Sequence, residues 1–143
     1  MAKSNEILEK KISYDSVDDK DIFYIIDIVR NGIKYDTFSN LLQNIPLNLS
    51  EWSYILHLSE RTIQRYKRER RTFNLPQSER IIQIFHLYQL GINVFGNKSK
   101  FNMWIESENL ALGKVKPKEL LDNTFGINML KDELIRIQQG ILA

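Results

Sequence analysis

Cysteine is absent from the 143-residue chain, and histidine and proline are scarce, with two and three copies. The lack of cysteine excludes disulfide bonds, thiolate zinc ligands and thiol nucleophiles. Neither His57 nor His86 has a second ligand at metal-binding spacing, so the sequence indicates no metal site and no cofactor. It also contains no nucleophile–base constellation and no phosphate-binding loop, which makes an enzyme the least favoured interpretation.

Long hydrophobic runs are missing as well. No apolar stretch is long enough to span a bilayer, and the first residues lack the apolar core of a signal peptide. We therefore expect a cytoplasmic protein with no membrane partner. The composition, 43% hydrophobic and 27% charged, is typical of an ordered globular chain that forms one domain or two small ones.

Positive charge is concentrated in one segment. Residues 59–71 hold six Lys or Arg and two Asp or Glu, whereas the whole chain has a net charge of only +2. Just upstream, residues 49–58 have the pattern of a short helix followed by a tight turn. The basic segment is therefore predicted to be the second helix of a helix-turn-helix, and nucleic acid is the first partner to consider.

Apolar residues recur at helical spacing along most of the chain, which predicts an all-α fold. Gly32 is expected to end one helix in a left-handed conformation, and Asp36 to cap the next, which Pro46 ends. Ser50 and Ser59 are expected to cap the two helices of the helix-turn-helix.

The second half of the chain follows the same helical pattern. Pro76 suits the first turn of a long helix that Gly96 interrupts. Gly140 is expected to cap the last helix and to leave residues 141–143 as an apolar tail. The predicted organisation is a flexible N-terminus over residues 1–17, a helix-turn-helix domain over 18–74 and a second helical domain over 75–143.

The basic helix is predicted to expose a narrow polar sector. At about 100° per residue, Arg61, Gln64, Arg65 and Arg68 fall on one side and Ile63 on the other. Arginine can bond guanine and glutamine can bond adenine in the major groove, and arginine can also hold phosphates. A solvated charged helix is the alternative. The predicted DNA-binding residues are Ser59, Arg61, Thr62, Gln64, Arg65, Lys67 and Arg68.

Short motifs in a fixed order give the chain a resemblance to a known family. They are Leu58-Ser59-Glu60-Arg61-Thr62-Ile63-Gln64-Arg65, Ser78-Glu79-Arg80, Val94-Phe95-Gly96, Trp104-Ile105, Ala111-Leu112-Gly113, Pro117 with Leu120-Leu121-Asp122, Gly126-Ile127 and Arg136-Ile137 with Gly140-Ile141-Leu142-Ala143. The chain resembles the Xre-type antitoxins of the Xre/MbcA/ParS group over residues 38–143. It departs from the family pattern at Gly113-Lys114 and at Gln138-Gln139.

The resemblance implies an Xre/Cro-like helix-turn-helix bundle joined to a C-terminal helical toxin-binding domain. It also implies a homodimer, a larger assembly with a cognate RES-domain toxin that depletes NAD, and repression of the operon through operator DNA. A C-terminal tail could enter the toxin's active-site cleft. The toxin-binding residues that it implies are Leu112, Gly113, Arg136, Gly140, Ile141, Leu142 and Ala143.

Two further interpretations stay open beside the antitoxin. The chain could be a stand-alone transcription regulator whose C-terminal half only dimerises. It could also be an interaction adaptor whose basic helix contacts an acidic protein surface, and retention on promoter DNA would separate these two.

Overall fold

The structure is a computed structural model that describes the backbone of residues 19–142 and the side chains of residues 21–140. The predicted flexible segment 1–17 and the end of the predicted tail, Ala143, lie outside the described residues. The described chain is all-α, as predicted. It divides into two compact units between Phe85 and His86, within a long helix.

Seven α-helices and three short 3-10 turns make up the regular structure of residues 19–142. The first unit contains α1 (Asp19–Asn31), α2 (Tyr35–Leu41) with the 3-10 turn Leu42–Asn44, α3 (Leu49–Leu56), α4 (Glu60–Glu69) and the first part of α5 (Leu75–Phe95). The second unit contains the rest of α5, α6 (Lys98–Glu106), the 3-10 turns Leu110–Leu112 and Pro117–Leu120, and α7 (Thr124–Leu142). None of these helices is both long and apolar enough to cross a membrane.

An aromatic cluster forms the core of the first unit. The ring of Phe38 in α2 lies 5.0 Å from Trp52 in α3 and 5.0 Å from Phe73, edge-on in both cases. Ile55 in α3 and Ile63 in α4 are almost fully buried beside this cluster. Burying each large apolar side chain contributes about 1.5–3 kcal/mol, so the core fixes α3 and α4 to the rest of the unit.

Phe101 is the centre of the second unit. Its ring is fully buried, 5.0 Å from Tyr88 and 5.9 Å from Trp104. Gly91 lies against this ring, where a Cβ atom would overlap it. The apolar stripe of α7 completes the core with three fully buried residues, Ile127, Leu130 and Leu134.

Two predicted helix caps are wrong. Helix α2 begins at Tyr35, so Asp36 lies in its first turn, and Lys34 occupies the cap position without a side-chain bond. Helix α3 is capped by Asn48 and not by Ser50. The Asn48 side chain accepts from the Glu51 N–H at 2.8 Å, and the Glu51 carboxylate accepts from the Asn48 N–H at 2.9 Å. This reciprocal capping box satisfies two helix-end donors, which Ser50 could not do with Ser53 at the third position.

The predicted end of the last helix is also wrong. Helix α7 continues through Gly140 to Leu142, so Gly140 does not cap it. A glycine inside a helix costs about 1 kcal/mol relative to alanine, but it retains its N–H and does not break the hydrogen-bond ladder. Gly32 and Gly96, by contrast, end their helices as predicted, with φ of 88° and 86°.

Candidate functional site

The turn between α3 and α4 is held by a dense set of local bonds. His57 ends α3 in the left-handed conformation, with φ of 56°. The Leu58 N–H donates to the Ser53 carbonyl at 3.2 Å, and the Ser53 hydroxyl donates to the Leu58 carbonyl. These bonds satisfy the Ser53 carbonyl in the last turn of α3 and tie Leu58, which precedes α4, to that turn.

Ser59 caps α4, as predicted. Its Oγ accepts from the Thr62 N–H at 3.0 Å and lies 2.8 Å from the Thr62 hydroxyl. The two hydroxyls therefore bond each other, and Thr62 is half-buried while Ser59 is exposed. Loss of such a cap costs a helix about 1 kcal/mol.

The structure confirms the predicted division of α4 into an inner and an outer side. Ile63 is 2% exposed, and the ring of Tyr66 lies 5.3 Å from the core ring of Phe73. Five of the seven predicted DNA-binding residues are exposed along α4: Arg61, Gln64, Arg65, Lys67 and Arg68. An exposed row of guanidinium and amide groups on a capped helix fits the donor and acceptor pattern of the major groove. DNA contact by each of these residues stays a prediction.

The residues that the resemblance implied for toxin binding have different surroundings in the second unit. Leu112 is 7% exposed and belongs to the core, so its side chain is not presented at the surface. Gly113 is exposed with φ of 79°, and Gly140 is exposed within α7. The Arg136 guanidinium is largely exposed and donates to Glu133 at 2.8 Å. The side chains of residues 141–143 lie outside the described ones.

A closed loop in the second unit presents Leu110, which the sequence analysis did not single out. Asn109 and Val115 form an isolated bridge across the loop, with the Asn109 N–H 3.0 Å from the Val115 carbonyl. The Asn109 side chain also accepts from the Ala111 N–H at 2.8 Å. Leu110 at the tip is 81% exposed, although its loop is ordered by these bonds.

The outer side of α7 also exposes large apolar groups. Phe125 is 88% exposed and Met129 is 45% exposed, and at about 100° per residue they lie within about 40° of each other and of Arg136. Met103 of α6 is 68% exposed in the same unit. Sequence periodicity could have indicated Phe125, because it falls outside the buried stripe of α7, but only the structure shows how much of the ring is uncovered.

Burial shifts the pKa of two titratable groups among the described residues. Burial raises the pKa of the Tyr35 phenol and lowers the pKa of the Lys131 ammonium. Among the described residues, no three His, Cys, Asp or Glu side chains are grouped so that they could hold a metal ion.

These features define a class. The chain is a helix-turn-helix protein with a capped basic second helix, and it carries a second helical unit that exposes Leu110 on a hydrogen-bonded loop and Phe125 and Met129 on α7.

Comparison with protein families extends this assignment. Residues 25–86 match the antitoxin Xre-like helix-turn-helix domain, and residues 90–140 match the antitoxin Xre/MbcA/ParS C-terminal toxin-binding domain. The two matches follow each other and together cover most of the chain, which belongs to the Xre-type antitoxins. No curated protein is similar enough to the chain to match it.

Proposed function

We propose that the chain is the antitoxin of a type II toxin–antitoxin pair, that it inhibits a RES-type toxin which depletes NAD, and that it represses its own operon. The observation that carries this proposal is the pairing of the two antitoxin domains in consecutive parts of one chain. The choice of a RES-type toxin rests on the motifs that the chain shares with the Xre partners of such toxins.

The second unit supplies the surface for the toxin. Leu110 and Phe125 are large apolar groups with more than four-fifths of their area exposed, and a toxin that covered them would remove this apolar surface from water. The bonds that close the loop at Asn109 order Leu110 before binding, so little conformational entropy is lost on contact. Arg136 lies on the same side of α7 as Phe125, about three turns further along, and aromatic residues and arginine are both typical of interface centres.

The end of α7 is the proposed plug for the toxin's active-site cleft. Because α7 continues to Leu142, Ile141 and Leu142 extend the helix. Residues 141–143 would then enter the cleft from a fixed direction, and Ile141 and Leu142 would contribute apolar contact area. Inhibition by occlusion requires no catalytic group on the antitoxin, in agreement with the non-enzymatic role proposed here.

The helix-turn-helix is the proposed operator-binding element. Arg61 and Gln64 lie in the first half of α4, which is the part of a recognition helix that contacts base edges, and Arg65 follows directly. A homodimer would place two such helices on half-sites of a palindromic operator, since closed dimers have two-fold symmetry.

Co-expression with the neighbouring gene tests the antitoxin assignment. We expect a second chain to copurify at a fixed ratio, and its mass to equal that of the neighbouring gene's product. Purification of the chain alone, as a dimer that represses its promoter without a partner, would support the stand-alone regulator in its place.

A further inference from the structure

A second basic surface lies beside α4 and includes a residue that is distant in sequence. Lys34, between α1 and α2, forms an isolated antiparallel bridge with Thr72, which follows α4. Partners across such a bridge have Cα atoms about 4.5–5.5 Å apart. Lys34 therefore lies next to the end of α4, where Arg70 and Arg71 follow the predicted DNA-binding residues.

Hydrogen bonds hold this junction in place. The Tyr35 N–H donates to the Arg71 carbonyl at 2.9 Å, and the Phe73 N–H donates to the Ile33 carbonyl at 2.8 Å. The Ile33 N–H is bonded to the buried Ser78 hydroxyl at 2.8 Å. The segment at residues 33–35 and the segment at residues 71–73 are therefore fixed to each other and to α5. This defines the backbone positions of Lys34 and Arg70.

Two of the cations at this junction are directed to solvent. Lys34 and Arg70 are both exposed. The neighbouring Arg71 is instead engaged with Glu69, its Nε donating to the carboxylate at 2.7 Å. Asp36 is a second carboxylate nearby, in the first turn of α2. Because Arg71 is paired with Glu69, Lys34 and Arg70 are the cations at this junction that can bind an external anion.

We propose that Lys34 and Arg70 form a phosphate clamp, which binds backbone phosphates of the operator beside the bases that α4 reads. This inference rests on the DNA binding proposed above. In homeodomains the C-terminal end of the recognition helix, which is the place of Arg70 here, also contacts the DNA backbone. Because every sequence has the same phosphates, the clamp contributes affinity and register but no base preference.

The test is a salt titration of DNA binding with the full chain. The duplexes are the region upstream of its own gene and a scrambled version, and the variants are Lys34→Gln, Arg70→Gln and the double variant. Each single substitution is expected to reduce the slope of log K against log salt by about 0.9, and the double variant by about 1.8. Both duplexes should lose affinity by the same factor, so that their ratio stays unchanged.

Matched control variants remove a positive charge from the second unit, outside the proposed clamp. Lys100→Gln removes an exposed lysine of α6, and Lys114→Gln removes an exposed cation whose φ of 68° resembles that of Arg70, at 53°. Both should leave the slope unchanged, and Arg70→Lys should restore most of the slope that Arg70→Gln loses.

The possible outcomes separate this inference from the proposed function. Wild-type protein that prefers its upstream duplex, together with clamp variants of unchanged slope, would overturn the clamp and leave operator binding intact. A loss of slope that is equal in the clamp and control variants would also overturn it. Wild-type protein that binds neither duplex would overturn operator binding and the clamp together.

Discussion

Arg61 and Gln64 lie one helical turn apart on the exposed side of α4, where each side chain has a different chemical use. The fork of Arg61 matches the two acceptors of guanine, and the amide of Gln64 matches the donor and acceptor of adenine. Neither residue supports the core, because Ile63 and Tyr66 fill that role from the opposite side. Substitutions at these two positions should therefore change binding and leave folding almost unaffected.

Arg61→Ala and Gln64→Ala are expected to reduce the preference for the operator over a scrambled duplex by about 1–3 kcal/mol each. Competition binding at fixed salt measures this preference. The Lys100→Ala variant serves as the control, since it removes an exposed side chain of the second unit. An operator preference that survives both α4 substitutions would show that α4 does not read bases.

Phe125 is the residue on which the toxin-binding surface can be tested most simply. Phe125→Ser should weaken toxin binding by about 2 kcal/mol, roughly thirtyfold in Kd, if the ring is an interface anchor. The free energy of unfolding of this variant should differ from that of the wild type by less than about 0.5 kcal/mol, because the Phe125 ring is 88% exposed. Calorimetric titration with the toxin and a thermal melt give the two values.

Phe23→Ser is the matched control for that variant. Phe23 is 68% exposed on α1, in the unit that matches the helix-turn-helix family over most of its length. Toxin binding that falls equally in both variants would contradict a specific role for Phe125.

At the scale of helices, much of the structure could be predicted from the sequence. Periodic apolar residues placed the helices, and Gly32 and Gly96 marked two of their ends, because a left-handed cap is a local property. The cap of α3 could also have been predicted, because Asn48 has Glu51 three residues later, which is the capping-box pattern, whereas Ser50 has Ser53 at that position. The positions of Leu110 and Lys34 depend on isolated bridges between segments of the chain. Hydrophobic periodicity does not indicate such bridges.

The capping box of α3 gives a prediction on stability. Asn48→Ala should lower the free energy of unfolding by about 1 kcal/mol, whereas Ser50→Ala should change it by less than half of that amount. Urea denaturation of the two variants measures the difference. Equal losses would mean that the Asn48 cap is not formed in solution.

The end of α7 gives a second prediction at this scale. Deletion of residues 141–143 should weaken inhibition of the toxin at least tenfold and leave the melting temperature almost unchanged, because the buried stripe of α7 ends upstream. Inhibition curves of the full and shortened chains provide the test. Full neutralisation by the shortened chain would refute a plug at this end.

For the whole molecule, the two units differ in the surface that they expose. The first unit carries the basic helix and the proposed phosphate clamp, and the second carries uncovered apolar groups at Leu110 and Phe125. Sequence patterns predicted the charge of the first surface because charge does not depend on folding. They could not predict the second, because the difference between buried Leu112 and exposed Leu110 arises only from tertiary packing.

The central proposal is that this chain inhibits a toxin that consumes NAD. Its most direct test is to measure NAD loss caused by the purified product of the neighbouring gene while the full chain is added in increasing amounts. We predict that NAD loss stops at a fixed stoichiometric ratio and that Phe125→Ser requires a higher concentration for the same effect. NAD loss that continues unchanged at saturating antitoxin would contradict the account.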